Sequence, residues 1–299
     1  NCGVKFRLPV MLPANLMLAH SGEGLVSSMY DPFPDVNRIE PAGFCNFKCV
    51  FCPVGIEGGK RGLLKYADFL WIVDRLPAVP RVLVLYHGGE PLLNPAITDM
   101  IRHGRKIGVR KIIIDTNASL IKPDVNYSGL DEMRISFTGQ DPKENDLIRV
   151  GSDYYRDAQK VIGLSRSKYK PQRIVIMHIG DGHIPDYLLS TFTGNGCETN
   201  IVFEGLVQKQ WARKNGKPNQ IKKGVNYCRN LFTTFTVMAN GDVPLCNDDL
   251  MGDYIFGNVL IEDPLIIWKR MQPVRDAFRN GDYPEICRNC WILSNGFYG

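Results

Sequence analysis

No stretch of about 18 consecutive apolar residues occurs in this 299-residue chain, so no membrane-spanning helix is expected. Runs of five like charges are also missing. With 36 basic and 31 acidic residues the formal net charge is +5, which gives nucleic-acid binding no compositional support and leaves anionic small molecules open. A disulfide framework is absent too. The nine cysteines fall at 45/49/52, 228, 246 and 287/290, with Cys2 and Cys197 apart. Clusters of this kind in a large chain read as metal binding in a reducing compartment, hence in the cytoplasm. One stretch argues for export: Lys5 and Arg7 precede an apolar run that faintly resembles a secretory signal. Pro9, Pro13 and Asn15 interrupt that run, so it is expected to pack against the main domain. What is present is an ordinary globular composition, 44% hydrophobic and 22% charged. The length suffices for a full α/β domain and a smaller appendage.

Residues 1–35 carry scattered prolines and no periodic pattern. From residue 36 strands and helices alternate. Strands are expected near 36–41, 81–86, 111–115, 133–137, 173–178 and 200–205. Helices are expected near 66–76, 95–107, 154–165 and 184–192. The apolar runs Val82-Leu83-Val84-Leu85 and Ile112-Ile113-Ile114 suit parallel strands covered on both faces. Six βα-type units predict a parallel α/β sheet with its polar, glycine-rich strand ends gathered on one side, where function collects in barrels of this class.

After the first strand comes Cys45-Asn46-Phe47-Lys48-Cys49-Val50-Phe51-Cys52. Three thiolates on one short loop can hold three irons of a cubane cluster and leave the fourth open. A structural zinc site needs four protein ligands, so zinc here requires a distant fourth donor. After the second strand comes Gly88-Gly89-Glu90-Pro91, where glycines permit close backbone approach and a carboxylate can accept from an ammonium group. Together the cysteine loop and the Gly-Gly-Glu-Pro segment resemble the signature of the radical S-adenosylmethionine (SAM) superfamily. The resemblance implies an open six-stranded partial (β/α)6 barrel and a SAM-chelating iron–sulfur cluster. It also implies that residues 88–91 hold the SAM amino group and that Phe51 packs near the adenine. Softer matches are Asn117 at the end of the third strand, Ser136 toward the SAM ribose, and Arg149 toward the SAM carboxylate, a contact suited to guanidinium. A flavodoxin- or ferredoxin-type electron donor is implied as partner.

Near the C-terminus stand Cys228, an alternating strand over 232–237, a hairpin signal at Asn240-Gly241, Cys246, a helix containing Trp268, and Cys287-Arg288-Asn289-Cys290. Spacing alone favours tetrahedral zinc over a second cluster. The resemblance reverses this order: the pattern is similar to the auxiliary-cluster modules called SPASM, in the shortened "twitch" form with one fully protein-ligated [4Fe-4S] cluster. The expected organisation is an extension over 1–35, the barrel over 36–222 and the auxiliary module over 223–299.

Asp248 and Asp249 follow Cys246, where a carboxylate beside a cluster could take a substrate proton. Lys48, Tyr86, His87 and His178 are candidates for the cavity lining. The resemblance implies reductive cleavage of SAM to a 5′-deoxyadenosyl radical that abstracts a substrate hydrogen atom. The favoured outcome is two-electron oxidation of a small polar molecule such as a sugar or aminocyclitol. Radical modification of a ribosomal peptide, and a non-enzymatic iron–sulfur or zinc carrier, are the alternatives.

Overall fold

The computed structural model describes residues 30–193, 200–207, 221 and 224–295. Cys2, Cys197, His20 and the signal-like stretch lie outside the described residues.

The chain enters through β1 (Val36–Ile39), a two-residue strand β2 (Lys48–Cys49), α1 (Pro53–Glu57), α2 (Tyr66–Asp74) and β3 (Val82–Val84). A 3-10 turn over Pro91–Leu93 leads to α3 (Ile97–Lys106), β4 (Lys111–Thr116), β5 (Glu132–Thr138), α4 (Pro142–Ile148) and β6 (Arg149–Val150). Then follow α5 (Tyr154–Arg166), β7 (Arg173–Gly180), α6 (Asp186–Thr193) and β8 (Ile201–Val207). The C-terminal part holds α7 (Arg229–Phe232), β9 (Thr234–Val237), β10 (Asp242–Pro244), β11 (Ile255–Asn258), α8 (Pro264–Arg270), α9 (Gln272–Arg279), α10 (Glu285–Arg288) and α11 (Trp291–Asn295).

Seven strands form the main sheet, in the order β8-β7-β5-β4-β3-β1-β9, and every neighbouring pair is parallel. Side chains alternate between its two faces. Leu83, Ile112, Ile114, Met133, Ile135, Ile174 and Ile176 point to the helix-covered face and are fully buried. Their alternates Arg38, Asp115, Arg134 and Glu204 point to the lumen of the open barrel.

The six expected strands form as β1, β3, β4, β5, β7 and β8, and a seventh, β9, joins them beside β1 in the register Val36↔Thr234 to Ile39↔Val237. One expectation is corrected. The turn at Asn240-Gly241 forms, but β10 pairs antiparallel with β11 rather than folding back on β9. Burial explains the choice. All four residues of β9 are buried, and Phe235 packs 4.9 Å from Phe33 and 6.3 Å from Trp268. A surface hairpin would leave that apolar face in water. The seam between barrel and auxiliary module therefore runs through the sheet. It is tied again at Asp31, whose carboxylate accepts from Arg275 Nε (2.9 Å) and Gln272 Nε2 (3.0 Å).

The helix α4 was not expected. Asp141 caps it, accepting from the Glu144 amide at 2.8 Å, and proline occupies its first turn. Its end delivers Arg149 to the cysteine loop.

Candidate functional site

The cysteine loop is held on a small ladder. Strand β2 pairs with β6, and Cys49 stands opposite Arg149. Arg149 is buried, with its guanidinium over the Phe47 ring at 5.6 Å. Cys45, Cys49 and Cys52 are half-buried and free of disulfides. Burial pushes all three thiols up, Cys45 to about 12, while the Arg149 charge pulls Cys49 and Cys52 down. Their mutual repulsion is part of the rise in Cys45 and Cys49, so the sulfurs share one small volume. Metal binding would replace their protons. The Asn117 side-chain amide donates to Cys45 Sγ at 3.7 Å and to Asn46 Oδ1 at 2.9 Å. Phe51 is half-buried within the loop, and Lys48 is exposed.

The Gly-Gly-Glu-Pro segment is locked against this loop. A Cβ on Gly89 would stand 2.1 Å from the Ala42 carbonyl oxygen and 2.3 Å from that of Phe44. Only glycine allows this approach. The Glu90 amide donates to Phe44 O at 3.0 Å. The Glu90 side chain turns inward: Oε1 accepts from Thr116 Oγ1 (2.7 Å) and the Leu92 amide (3.1 Å), and Oε2 from the Asn117 amide (2.8 Å). Burial nevertheless pushes its carboxyl up to about 7. The cysteine loop, residues 88–91 and the end of β4 are thus brought together. Ser136 stands in register with Met177 on the lumen face of β5, half-buried and short of the strand end.

A residue that the sequence did not single out joins all of this. Glu40, fully buried at the end of β1, accepts from Arg61 Nε (2.8 Å), Arg61 Nη2 (2.9 Å), the Gly88 amide (2.9 Å) and the Ala239 amide (3.0 Å). Burial is the largest single influence and pushes its carboxyl up, but the Arg61 bonds, the charges of Arg61 and His87 and the Ala239 amide together hold it below the ordinary range. Ala239 belongs to the turn between β9 and β10. One carboxylate therefore links the first strand, residues 88–91 and the C-terminal module. The signal in the sequence was no more than a glutamate at the end of a short strand.

The four C-terminal cysteines also converge. Cys228 caps α7, Cys246 follows β10, Cys287 lies in α10 and Cys290 precedes α11. They line one cavity with Leu231, Leu245, Ile286, Leu293, Asn230 and Asp248. Burial pushes each of Cys246, Cys287 and Cys290 up, the last to about 12. Among the described residues, no three Cys, His, Asp or Glu side chains meet closely enough for a single metal ion.

Both aspartates are buried in this module and have local partners. Asp249 Oδ1 accepts from the Asp253 amide (2.8 Å) and Oδ2 from the Tyr254 amide (3.1 Å). Burial pushes Asp249 up to about 6. Asp248 accepts a short bond from Asn230 Nδ2. His178 lies in packing rather than in the lumen, its ring nitrogens 2.7 Å from His183 O and 2.8 Å from Gly139 O.

A family model described as "Radical SAM superfamily" matches residues 39–192, just over half of the chain, and one described as "Iron-sulfur cluster-binding domain" (SPASM) matches 228–291. Among curated proteins, an AdoMet-dependent heme synthase of Methanosarcina barkeri is 24% identical over 35% of this chain and 31% of its own length. A probable GTP 3′,8-cyclase of Saccharolobus islandicus is 31% identical over 35% of each. A GTP 3′,8-cyclase of Clostridium botulinum is 24% identical over 50% of each. The chain thus spans a third to a half of the length of these relatives. Among solved structures, BtrN in complex with AdoMet and 2-DOIA superposes with a TM-score of 0.55 at 16% identity, over 87% of this chain and 94% of that one. The anSMEcpe structure with bound AdoMet gives 0.59 at 14%, over 87% and 89%. Streptococcus suis SuiB bound to S-adenosylmethionine gives 0.55 at 18%, over 83% and 68%. At these identities the structures share the fold.

Proposed function

The chain belongs to the radical SAM superfamily, and from that premise we propose that it is an oxidoreductase removing two electrons from a small polar molecule held in the barrel lumen. SAM and a [4Fe-4S] cluster are the cofactors of this family, and the SPASM domain binds further iron–sulfur. The residues fit both. Cys45, Cys49 and Cys52 would hold the first cluster through three thiolates and leave one position for SAM. Cys228, Cys246, Cys287 and Cys290 would hold the second with no position left open. Bound together, SAM and the first cluster would supply hydrogen-atom abstraction from a substrate carbon.

The chain's own residues shape the rest. Gly89 brings residues 88–91 onto the cysteine loop, so their backbone can meet the SAM amino group. Arg149, fixed opposite Cys49, supplies a buried cation for the SAM carboxylate. Asn117 and Glu90 hold the loop in place from β4. Phe51 and Ser136 are assigned to the adenine and ribose.

The observation that carries the dehydrogenase reading is the set of four thiols around one apolar cavity. A centre ligated wholly by protein has no position for substrate or SAM, so its use is to accept or pass electrons. BtrN, whose structure contains AdoMet and 2-DOIA, has 94% of its chain matched by this one, so no large segment of it lacks a counterpart. SuiB and anSMEcpe have been seen with peptides, a substrate class that the same fold also takes. To test the proposal, the protein is reconstituted with iron and sulfide without oxygen and given SAM, a reductant and polyols deuterated at their carbinol carbons. Deuterium in 5′-deoxyadenosine together with a ketone product is expected. Deuterium transfer without a ketone would refute the dehydrogenase reading, and no 5′-deoxyadenosine at all would refute the wider one.

A further inference from the structure

We propose that the barrel lumen is a binding site for a polyhydroxylated ligand that carries no phosphate or other anionic group, with His87 accepting one of its hydroxyl hydrogens. The inference deepens the proposed function and rests on it for the identity of the substrate, not for the existence of the site.

Arg38 on β1, Asp115 on β4, Arg134 on β5 and Glu204 on β8 form a belt on the lumen face. Asp115 and Arg134 are register neighbours, and Arg134 Nη2 reaches Glu204 Oε2 at 2.9 Å. Arg38 lies over the Tyr86 ring at 4.2 Å and donates to the Tyr86 carbonyl at 3.3 Å. Two guanidiniums face two carboxylates, so the belt has no net charge. A phosphate would need a surplus of cations, and none is present in the belt.

The belt is nevertheless short of partners. Arg38 Nε, Arg134 Nε, Asp115 Oδ1 and Thr236 Oγ1 are all buried without a hydrogen bond. Thr236 stands beside Arg38 in the β1–β9 register. Buried polar groups are ordinarily satisfied, so unmatched ones on one wall indicate something that enters. Two are donors, one is an acceptor and one is both. Hydroxyl groups, each a donor and an acceptor, match such a mixture.

His87 completes the set. It is 6% exposed, and neither ring nitrogen makes a well-formed hydrogen bond, although one lies near enough to the Asp249 backbone to feel it. Arg38, Glu40 and the Asp249 backbone lie around it, which places the ring where the barrel meets the C-terminal module. Burial is the largest cause of a pKa lowered to about 4, so the ring is neutral and one nitrogen is an acceptor. Asp248 and Asp249 are engaged elsewhere; His87 offers the lumen an uncommitted acceptor.

The test uses the full chain labelled with 15N-histidine. The His87 ring signals are identified by their loss in H87Q, then followed against myo-inositol, glucose, sorbitol and the phosphorylated counterpart of each. At least one neutral polyol is expected to shift these signals saturably, with its phosphate at least tenfold weaker. D115N should weaken the same binding at least tenfold. If D115N lacks the wild-type circular dichroism, T236V, which removes one lumen hydroxyl without changing charge, replaces it, with at least a threefold loss expected. No shift with any neutral polyol, equal or tighter binding of the phosphates, or unchanged affinity in the folded variant would overturn the inference. Since nothing here needs SAM cleavage, loss of polyol binding with 5′-deoxyadenosine still formed refutes this inference alone. Polyol binding without 5′-deoxyadenosine refutes the function reading alone.

Discussion

Two single residues carry clear consequences. Glu90 accepts three hydrogen bonds and donates none, so a glutamine amide would point N–H at a donor. E90Q is expected to cost about 1–3 kcal/mol in urea unfolding, the usual penalty for an unmatched buried polar group. His87 sets a pH dependence. Its folded pKa is about 4 against an ordinary 6.5, so between these values the unfolded chain binds a proton that the folded chain refuses. Stability conferred by the neutral ring is therefore lost as pH falls through that window. Between pH 7 and pH 5 the wild type should lose roughly 2 kcal/mol more than H87Q in parallel urea titrations. Glu90, raised to about 7, acts in the opposite sense and is common to both proteins, so it cancels in the comparison. Residues at this scale were unevenly legible. The seven cysteines and the Gly-Gly-Glu-Pro segment announced themselves by spacing. Glu40 did not, because its partners Arg61, Gly88 and Ala239 lie 21, 48 and 199 positions away. Nor could the commitment of Asp249 to two backbone amides be read from its place after Cys246.

Among elements, the cysteine loop and residues 88–91 act as one piece. Their contact is backbone on backbone, so neither side can yield as a flexible side chain would. G89A is expected to displace the loop and cost about 1–3 kcal/mol or more. Reconstituted G89A should hold clearly less iron than the wild type and should show SAM cleavage reduced at least tenfold. Strands β3, β4 and β7 were easy to read because each is a nearly unbroken apolar run between polar ends. Strand β9 was misplaced for a physical reason: Thr-Phe-Thr-Val alternates as a hairpin strand does, and only Phe33 and Trp268, distant in sequence, show that both its faces are covered. The ladder of β2 and β6 was invisible, since two residues carry no periodicity.

For the molecule as a whole, the two thiol sites make separable demands. The C246A variant should lose about half of the iron taken up by the wild type, because Cys45, Cys49 and Cys52 lie in another part of the fold and share no ligand with it. Oxidation of substrate should fall far more than SAM cleavage. The shared sheet and the Glu40 node mean that the C-terminal module will not separate cleanly from the barrel. E40Q leaves the Arg61 guanidinium buried without its counter-charge and should cost about 3–5 kcal/mol in one cooperative transition. Radical chemistry from SAM depends, in this reading, on the open-sided loop at Cys45, Cys49 and Cys52. Its most direct test is 5′-deoxyadenosine measured after anaerobic reconstitution with iron and sulfide, then addition of SAM and a reductant, in the wild type and in C45A. Product is expected from the wild type and at most background from C45A. Equal amounts from both, or none from an iron-loaded wild type, would contradict this reading.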